Sequence, residues 1–164
     1  MNAPMVLSPE ALARIDKAIA KYPPEHRESA VIAALTVAQD EKGWLSKETI
    51  EFVAAYLGMP PIAVWEVATF YTMYNLEPVG RHKITICTNL PCALGGAEAA
   101  ADHLRERLGI GFGETTPDGG FTLREGECMG ACGDAPVCLL NDKKMLSFMT
   151  PDKLDRLIEE LKNK

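Results

Sequence analysis

The first 86 residues of this 164-residue chain contain no cysteine, and no apolar run approaches the ~18 to 20 residues that a membrane-spanning helix needs. The start, Met1-Asn2-Ala3-Pro4-Met5, lacks the basic segment and apolar core of a secretory signal. Positive charge is scarce: 17 Lys and Arg face 23 Asp and Glu, and the net charge of -6 argues against a nucleic-acid or anionic-membrane surface. A phosphate loop ending in Gly-Lys-Ser or Gly-Lys-Thr is missing too. The nearest glycine run, Gly109-Ile110-Gly111-Phe112-Gly113, follows a helical stretch instead of a strand and has Glu114 or Thr116 where a third glycine belongs. It reads as a helix cap and a turn. The expectation is a cytoplasmic globular protein with no inserted segment and no nucleotide loop of its own.

What is present is an odd set of five cysteines, Cys87, Cys92, Cys128, Cys132 and Cys138. A reducing compartment and an odd count make a poor disulfide framework. Metal binding or redox chemistry is the better reading.

The periodicity divides the chain in two. Ser8-Pro9-Glu10 is a helix start, with Ser8 as cap, Pro9 in the first turn and Leu7 placed to staple onto Leu12. Leu12, Ile15 and Ile19 form its apolar face until Tyr22-Pro23-Pro24. A second helix, Ser29 to about Lys42, turns Ile32, Leu35 and Ala38 inward and ends at Gly43. Leu45-Ser46 opens a third, with Ile50, Val53 and Leu57 before Gly58, and Pro60-Pro61 opens a fourth. The fourth carries Ile62, Val64, Trp65, Val67, Ala68 and Tyr71 on more than one face, which suits packing on both sides or against something outside the helical group. Asn75 to Gly80 breaks the pattern as a candidate linker.

Beyond it, Lys83 to Cys87 alternates like a strand, and Leu94 to Leu108 reads as a helix closed by Gly109. After the Pro117-Asp118-Gly119-Gly120 turn, Phe121 to Arg124 is a second strand. Val137 to Leu140 and Lys144 to Phe148 flank a hairpin turn at Asn141-Asp142-Lys143, and Thr150-Pro151-Asp152 caps a last helix with Leu154, Leu157, Ile158 and Leu161 inward. The fold class is α+β: an N-terminal helical bundle over residues 1–78, then a domain over residues 79–164 whose strand and helix order resembles a thioredoxin-like domain.

Cys87 and Cys92 are separated by four residues, Cys128 and Cys132 by three, and each pair sits in a loop at or just past a strand. Two loops of this kind bring four sulfurs to one end of a sheet, which suits tetrahedral zinc or an iron-sulfur cluster; unliganded core or reactive thiols are the third option. A [2Fe-2S] core needs two protein ligands per iron, so two separated pairs fit it well. Gly130 and Gly133 allow backbone to approach a bulky inorganic core.

Four runs carry a resemblance: Val67-Ala68-Thr69-Phe70-Tyr71, Pro78-Val79-Gly80-Arg81-His82, Cys87-Thr88-Asn89-Leu90-Pro91-Cys92, and Glu127 through Cys128-Met129-Gly130-Ala131-Cys132-Gly133 to Asp134-Ala135-Pro136. Together they resemble the family of small [2Fe-2S] subunits of respiratory complex I, the bacterial NADH-quinone oxidoreductase, over nearly the whole chain. The resemblance implies a thioredoxin-like [2Fe-2S] ferredoxin domain with Cys87 and Cys92 on one iron and Cys128 and Cys132 on the other. Cys138 lies outside the pattern and reads as a core residue. The resemblance further implies an electron-transfer subunit with no complete active site of its own, in the peripheral arm of a membrane-bound complex. FMN and NADH then belong to a flavoprotein partner, with the large iron-sulfur subunit alongside.

Two relatives of that reading share the motifs: the small diaphorase subunit of a soluble NAD-linked hydrogenase, and that of a formate dehydrogenase. A free thioredoxin-like ferredoxin is disfavoured by the 86 residues before the first cysteine. A four-cysteine zinc module is the alternative of another class. Glu127 and Asp134 read as solvated loop residues, although negative charge near a cluster would lower its potential. His26, His82 and His103 read as surface residues, Trp44, Trp65, Phe70 and Tyr71 as core and interface anchors, and Met73 and Met129 as packing.

Overall fold

The computed structural model describes residues 6–163. Contacts divide the chain into two compact units, with the boundary between Pro78 and Val79.

The first unit is helical because its start and stop signals act locally. Ser8 accepts a hydrogen bond from the Ala11 amide at 3.1 Å and opens α1 (Pro9–Ile19), and Leu7 and Leu12 enter the same core. A 3-10 segment (Pro24–Ala30) leads into α2 (Val31–Lys42), closed by Gly43 at φ 81°. Ser46 caps α3 (Lys47–Leu57) by accepting from Thr49 N–H at 3.2 Å, and Gly58 ends it at φ 73°. Pro61 starts α4 (Pro61–Phe70). Ile15, Leu35, Leu45, Ile50, Val53 and Val64 form the centre of the core.

One expectation changes here and two gain detail. Ile32 is exposed, because α2 is buried through Val31, Ala34, Leu35, Val37 and Ala38 and leaves Ile32 on its outer edge. The Asn75 to Gly80 break is tied down at both ends. Asn75 is buried, taking Gln39 Oε1 on its amide at 2.6 Å and giving Nδ2 to the Gly43 carbonyl at 3.3 Å. Gly80, also buried, donates its amide to Thr122 Oγ1 at 2.7 Å within the second unit. Finally, α4 buries only Val64 and Ala68, leaving Ile62 at 68% and Phe70 at 78% exposure.

The second unit holds β1 (His82–Cys87), α5 (Leu90–Leu94), α6 (Ala97–Leu108), β2 (Phe121–Gly126), β3 (Cys138–Leu140), β4 (Lys144–Leu146) and α7 (Pro151–Lys162). The sheet order is β2-β1-β3-β4, with β1 and β2 parallel and the other pairs antiparallel. Strand alternation gives each face its set. Ile84, Ile86, Phe121, Leu123 and Cys138 share a core with Ala100, Ala101 and Leu104 of α6 and Leu154, Ile158 and Leu161 of α7. Lys83, Thr85 and Cys87 take the other side of β1.

Local differences again have tertiary causes. Leu94 to Leu108 is not one helix: Gly95 and Gly96, the latter at φ 90°, separate α5 from α6. His82 opens β1, its ring 5.5 Å from that of Phe121. Lys83, a polar position of the strand, is buried and ion-paired to Asp142; burial lowers its pKa and the Asp142 carboxylate opposes that shift. Thr150 precedes α7 without a side-chain cap, and its carbonyl receives the Lys153 and Leu154 amides instead, both at 2.9 Å. The Gly109 to Gly113 run is a helix cap at φ 67° followed by a turn, with Gly111 N–H on Glu114 Oε2 at 2.6 Å.

Candidate metal centre

The end of β1 delivers Cys87 with its backbone fixed, since its amide donates to the Val137 carbonyl at 3.0 Å and the next amide, of Thr88, donates to Gly126 at 3.1 Å. Chain direction then reverses through α5. Asn89 is extended and Pro91, with φ preset and no N–H to satisfy, suits the first turn. This short helix carries Cys92 back toward the strand end. Cys87 and Cys92 are almost wholly buried, at 1% and 2% exposure, against Ala97, Met129 and Ala135.

The second pair follows β2. Cys128 and Cys132 are exposed, on a loop that turns through Gly130 at φ 67° and ends in a 3-10 turn (Cys132–Asp134). The Gly130 amide points at Cys128 Sγ from 3.4 Å, and Cys87 Sγ lies 3.8 Å from the Glu127 carbonyl. Two further bonds anchor the loops: Thr88 Oγ1 to Glu125 Oε1 at 2.7 Å, and Ser147 Oγ to Asp134 Oδ2 at 2.8 Å. Gly95 allows the loops to abut, because a Cβ there would stand 2.6 Å from Ala135 Cβ.

The pairs meet at Cys92. Its thiol pKa is pushed up to about 12, first by burial and then by the thiols of Cys87 and Cys132 beside it. One sulfur of the first loop is thus within reach of its own partner and of a sulfur of the second loop. Cys138, also raised to about 12 by burial, stands apart: it pairs with Ile86 and faces the core under α6 and α7, whereas Cys87 faces the other side of the sheet. Among the described residues no three His, Cys, Asp or Glu side chains converge on one metal-ion position. A two-iron centre asks for two sulfurs per iron, and the donor set of two thiols on each of two abutting loops fits that demand.

Residues 15–162 match the family model described as thioredoxin-like [2Fe-2S] ferredoxin. The chain belongs to that family. As a thioredoxin-like [2Fe-2S] ferredoxin it is 46% identical over 146 residues to a NADH-quinone oxidoreductase subunit of Rickettsia bellii, covering 88% of this chain and 87% of the relative. To NADH-quinone oxidoreductase subunit 2 of Thermus thermophilus it is 41% identical over 148 residues, covering 90% and 82%. Its fold is also that of part of a crystallised NAD+-reducing [NiFe]-hydrogenase, with a TM-score of 0.72 at 23% identity, over 82% of this chain and 22% of the hydrogenase chain.

The remaining sequence candidates are placed as follows. Glu127 is exposed, and the half-buried Asp134 carboxylate is engaged by Ser147. His26 lies 3.4 Å from Glu28 and His103 3.1 Å from Asp155, both away from the cysteine loops in sequence and element. Trp44 and Trp65 are half-buried, while Phe70, Tyr71 and Met73 are exposed. Met129 packs on Cys87 and Cys92 as an apolar neighbour. Sequence reasoning passed over α5, Gly95 and Arg124. Asn89 ahead of Leu90-Pro91, and the glycine pair after Leu94, were the available signals for the first two.

Proposed function

We propose that this chain is the electron-transfer subunit of an NADH-quinone oxidoreductase, with Cys87, Cys92, Cys128 and Cys132 as ligands of its [2Fe-2S] cluster. The observation that carries the reading is the abutment of the two cysteine loops, Gly95 against Ala135 and Cys87 and Cys92 against Met129, in a chain of this family. When bound, such a cluster accepts and returns one electron with no bond to substrate.

The protein's own residues hold, cover and orient. Cys87 presents its thiol from the end of β1 and Cys92 from α5, Met129 and Ala135 pack over them, and the Gly130 amide is aimed at Cys128 sulfur. Cys128 and Cys132 face outward, where an electron enters or leaves. NADH gives up a two-electron hydride, so a flavin must stand between it and a one-electron centre. Because the Gly109 to Gly113 run is a cap and turn, that flavin is assigned to a flavoprotein partner, with a large iron-sulfur subunit beside it in a peripheral arm. Among the described residues no helix is long and apolar enough to cross a membrane.

The helical unit is assigned to docking on that flavoprotein. Ile62 and Phe70 support this, as large apolar groups in the open on a helix that buries only Val64 and Ala68. Ile62→Ser with Phe70→Ser is expected to reduce co-purification with the flavoprotein at least tenfold while α3 and α4 stay folded. Undiminished recovery would overturn the docking role.

Anaerobic purification with iron, zinc and sulfide analysis and a visible spectrum tests the cluster. Iron and inorganic sulfide in equal amounts are expected. Colourless protein with zinc and no sulfide would overturn the electron-transfer reading, and co-purified hydrogenase subunits in place of quinone oxidoreductase subunits would redirect it.

A further inference from the structure

The parallel register of β1 and β2 sets Thr85 opposite Arg124 and Cys87 opposite Gly126. Paired residues share a face, so Arg124 lies on the same side of the sheet as Cys87, one step back along the ladder. With ladder spacings of about 6.7 Å along a strand and 4.8 Å across, its Cα is about 8 Å from that of Cys87. The space between is closed: a Cβ on Gly126 would come within 2.9 Å of Thr85 Cγ2 and 3.0 Å of Met129 Cε. The methyl groups of Thr85 and Met129 thus pack over Gly126, between this row and the cysteine loops.

Two cations occupy that face. Lys83 is neutralised by Asp142. Arg124 has no ion-pair partner among the described residues, and its Nε is buried without a hydrogen-bond acceptor. The acid next to it in sequence, Glu125, takes the Thr88 hydroxyl. A guanidinium does not deprotonate in proteins, so the charge stays. Its field is felt nearby, since Arg124 contributes to the lowering of the Lys83 pKa. A half-buried guanidinium with its Nε unpaired carries a desolvation cost that a nearby negative charge would offset.

We propose that Arg124 is a positioning charge for the redox centre: it stabilises the reduced cluster and raises the reduction potential. The inference rests on the ligand set proposed above. A [2Fe-2S] core with four thiolates is a dianion when oxidised and gains one further negative charge on reduction, so a fixed cation favours the reduced form. Thr85 and Met129 are half-buried between them, so solvent screens this charge only in part.

The test is an anaerobic redox titration of the cluster-loaded chain, followed by electron paramagnetic resonance, for wild type, Arg124→Lys and Arg124→Met. Lysine and methionine have similar stems and differ in charge. Arg124→Met is expected to shift the oxidised-to-reduced ratio at fixed poise about threefold to tenfold toward oxidised, tenfold being about 59 mV for one electron, while Arg124→Lys stays near wild type. Loss of the cluster in Arg124→Met alone, with Arg124→Lys loaded, also supports a charge role. Equal shifts, or cluster loss, in both variants would overturn it, because packing would then be the cause. So would an unchanged potential in Arg124→Met. Colourless wild-type protein would bring down the cluster reading itself, whereas coloured protein indifferent to Arg124 brings down this inference alone.

Discussion

The loop of Cys87 and Cys92 and the loop of Cys128 and Cys132 offer matching pairs of thiols in opposite surroundings. The first is fixed by a central strand and a one-turn helix, and both its sulfurs are buried with Ala97, Met129 and Ala135. The second hangs between an edge strand and a 3-10 turn, and both its sulfurs are exposed. Rigid burial on one side and access on the other suits a redox group that must be held without being sealed. The inner pair is packed into the fold, whereas the outer pair is open to solvent. That distinction can be broken by experiment.

Serine substitutions carry the largest expected effects. Serine at any of Cys87, Cys92, Cys128 or Cys132 is expected to abolish or severely deplete the cluster, read as lost visible absorbance and iron, while Cys138→Ser retains it. In cluster-free protein the pairs should separate. A serine hydroxyl at 87 or 92 is left in an apolar pocket and costs about 1 to 3 kcal/mol, whereas serine at 128 or 132 stays within about 0.5 kcal/mol of wild type. Both tryptophans lie in the helical unit, so their fluorescence does not report on the sheet. Hydrogen exchange of β1 and β2 amides does. Equal destabilisation by all four serines would erase the inner and outer distinction.

Two glycines sharpen it next. Gly95 has an ordinary φ, so alanine there acts through crowding alone: its Cβ would stand 2.6 Å from Ala135 Cβ, an atom with no freedom to swing away. Prying α5 off the second loop is expected to cost about 1 to 3 kcal/mol and to speed cluster loss under a chelator. Gly130 is the reverse case, with φ 67° and nothing within 4 Å of an added Cβ. Alanine there costs about 1 to 2 kcal/mol through backbone handedness, and asparagine, which tolerates that conformation, recovers part of it. Should Gly130→Asn be as damaging as Gly130→Ala, side-chain bulk in the exposed loop matters more than its conformation.

These features differ in how far the sequence alone reveals them. Ser8, Ser46, Gly43, Gly58 and Gly109 act within one turn of chain, and the structure places each at the helix end its chemistry suits. The two cysteine pairs are visible as spacing. The burial of Cys87 and Cys92 is not, because it depends on Ala135 meeting Gly95 across forty residues. Lys83 looks like a solvent-facing strand position until Asp142 arrives from the distant hairpin to neutralise it. The helix beginning at Leu94 fails for a related reason. The apolar period runs on through Gly95 and Gly96; only the close approach to the second loop shows why Gly95 must be small, while Gly96 at φ 90° breaks the helix, which restarts at Ala97.

The smallest effects test whether the outer loop, poor in apolar contacts, depends more on its polar anchor than the inner loop does on its own. Thr88 donates to Glu125 at 2.7 Å, but Glu125 is exposed and water replaces the lost partner in Thr88→Val, which keeps the side-chain shape. The expected cost is about 0.5 kcal/mol. Ser147 donates to Asp134 at 2.8 Å, both are half-buried, and the Asp134 carbonyl also receives the Phe148 amide at 2.7 Å, so this contact ties the end of the second loop to the chain after β4. Ser147→Ala leaves a partly buried carboxylate short of a donor, at about 1 to 1.5 kcal/mol. Amide exchange across 127–135 in Ser147→Ala should therefore accelerate about fivefold to tenfold, against about twofold across 87–92 in Thr88→Val. The opposite order would mean that the buried pair is held by its hydroxyl, not by its packing, and the contrast between the loops would rest on exposure alone.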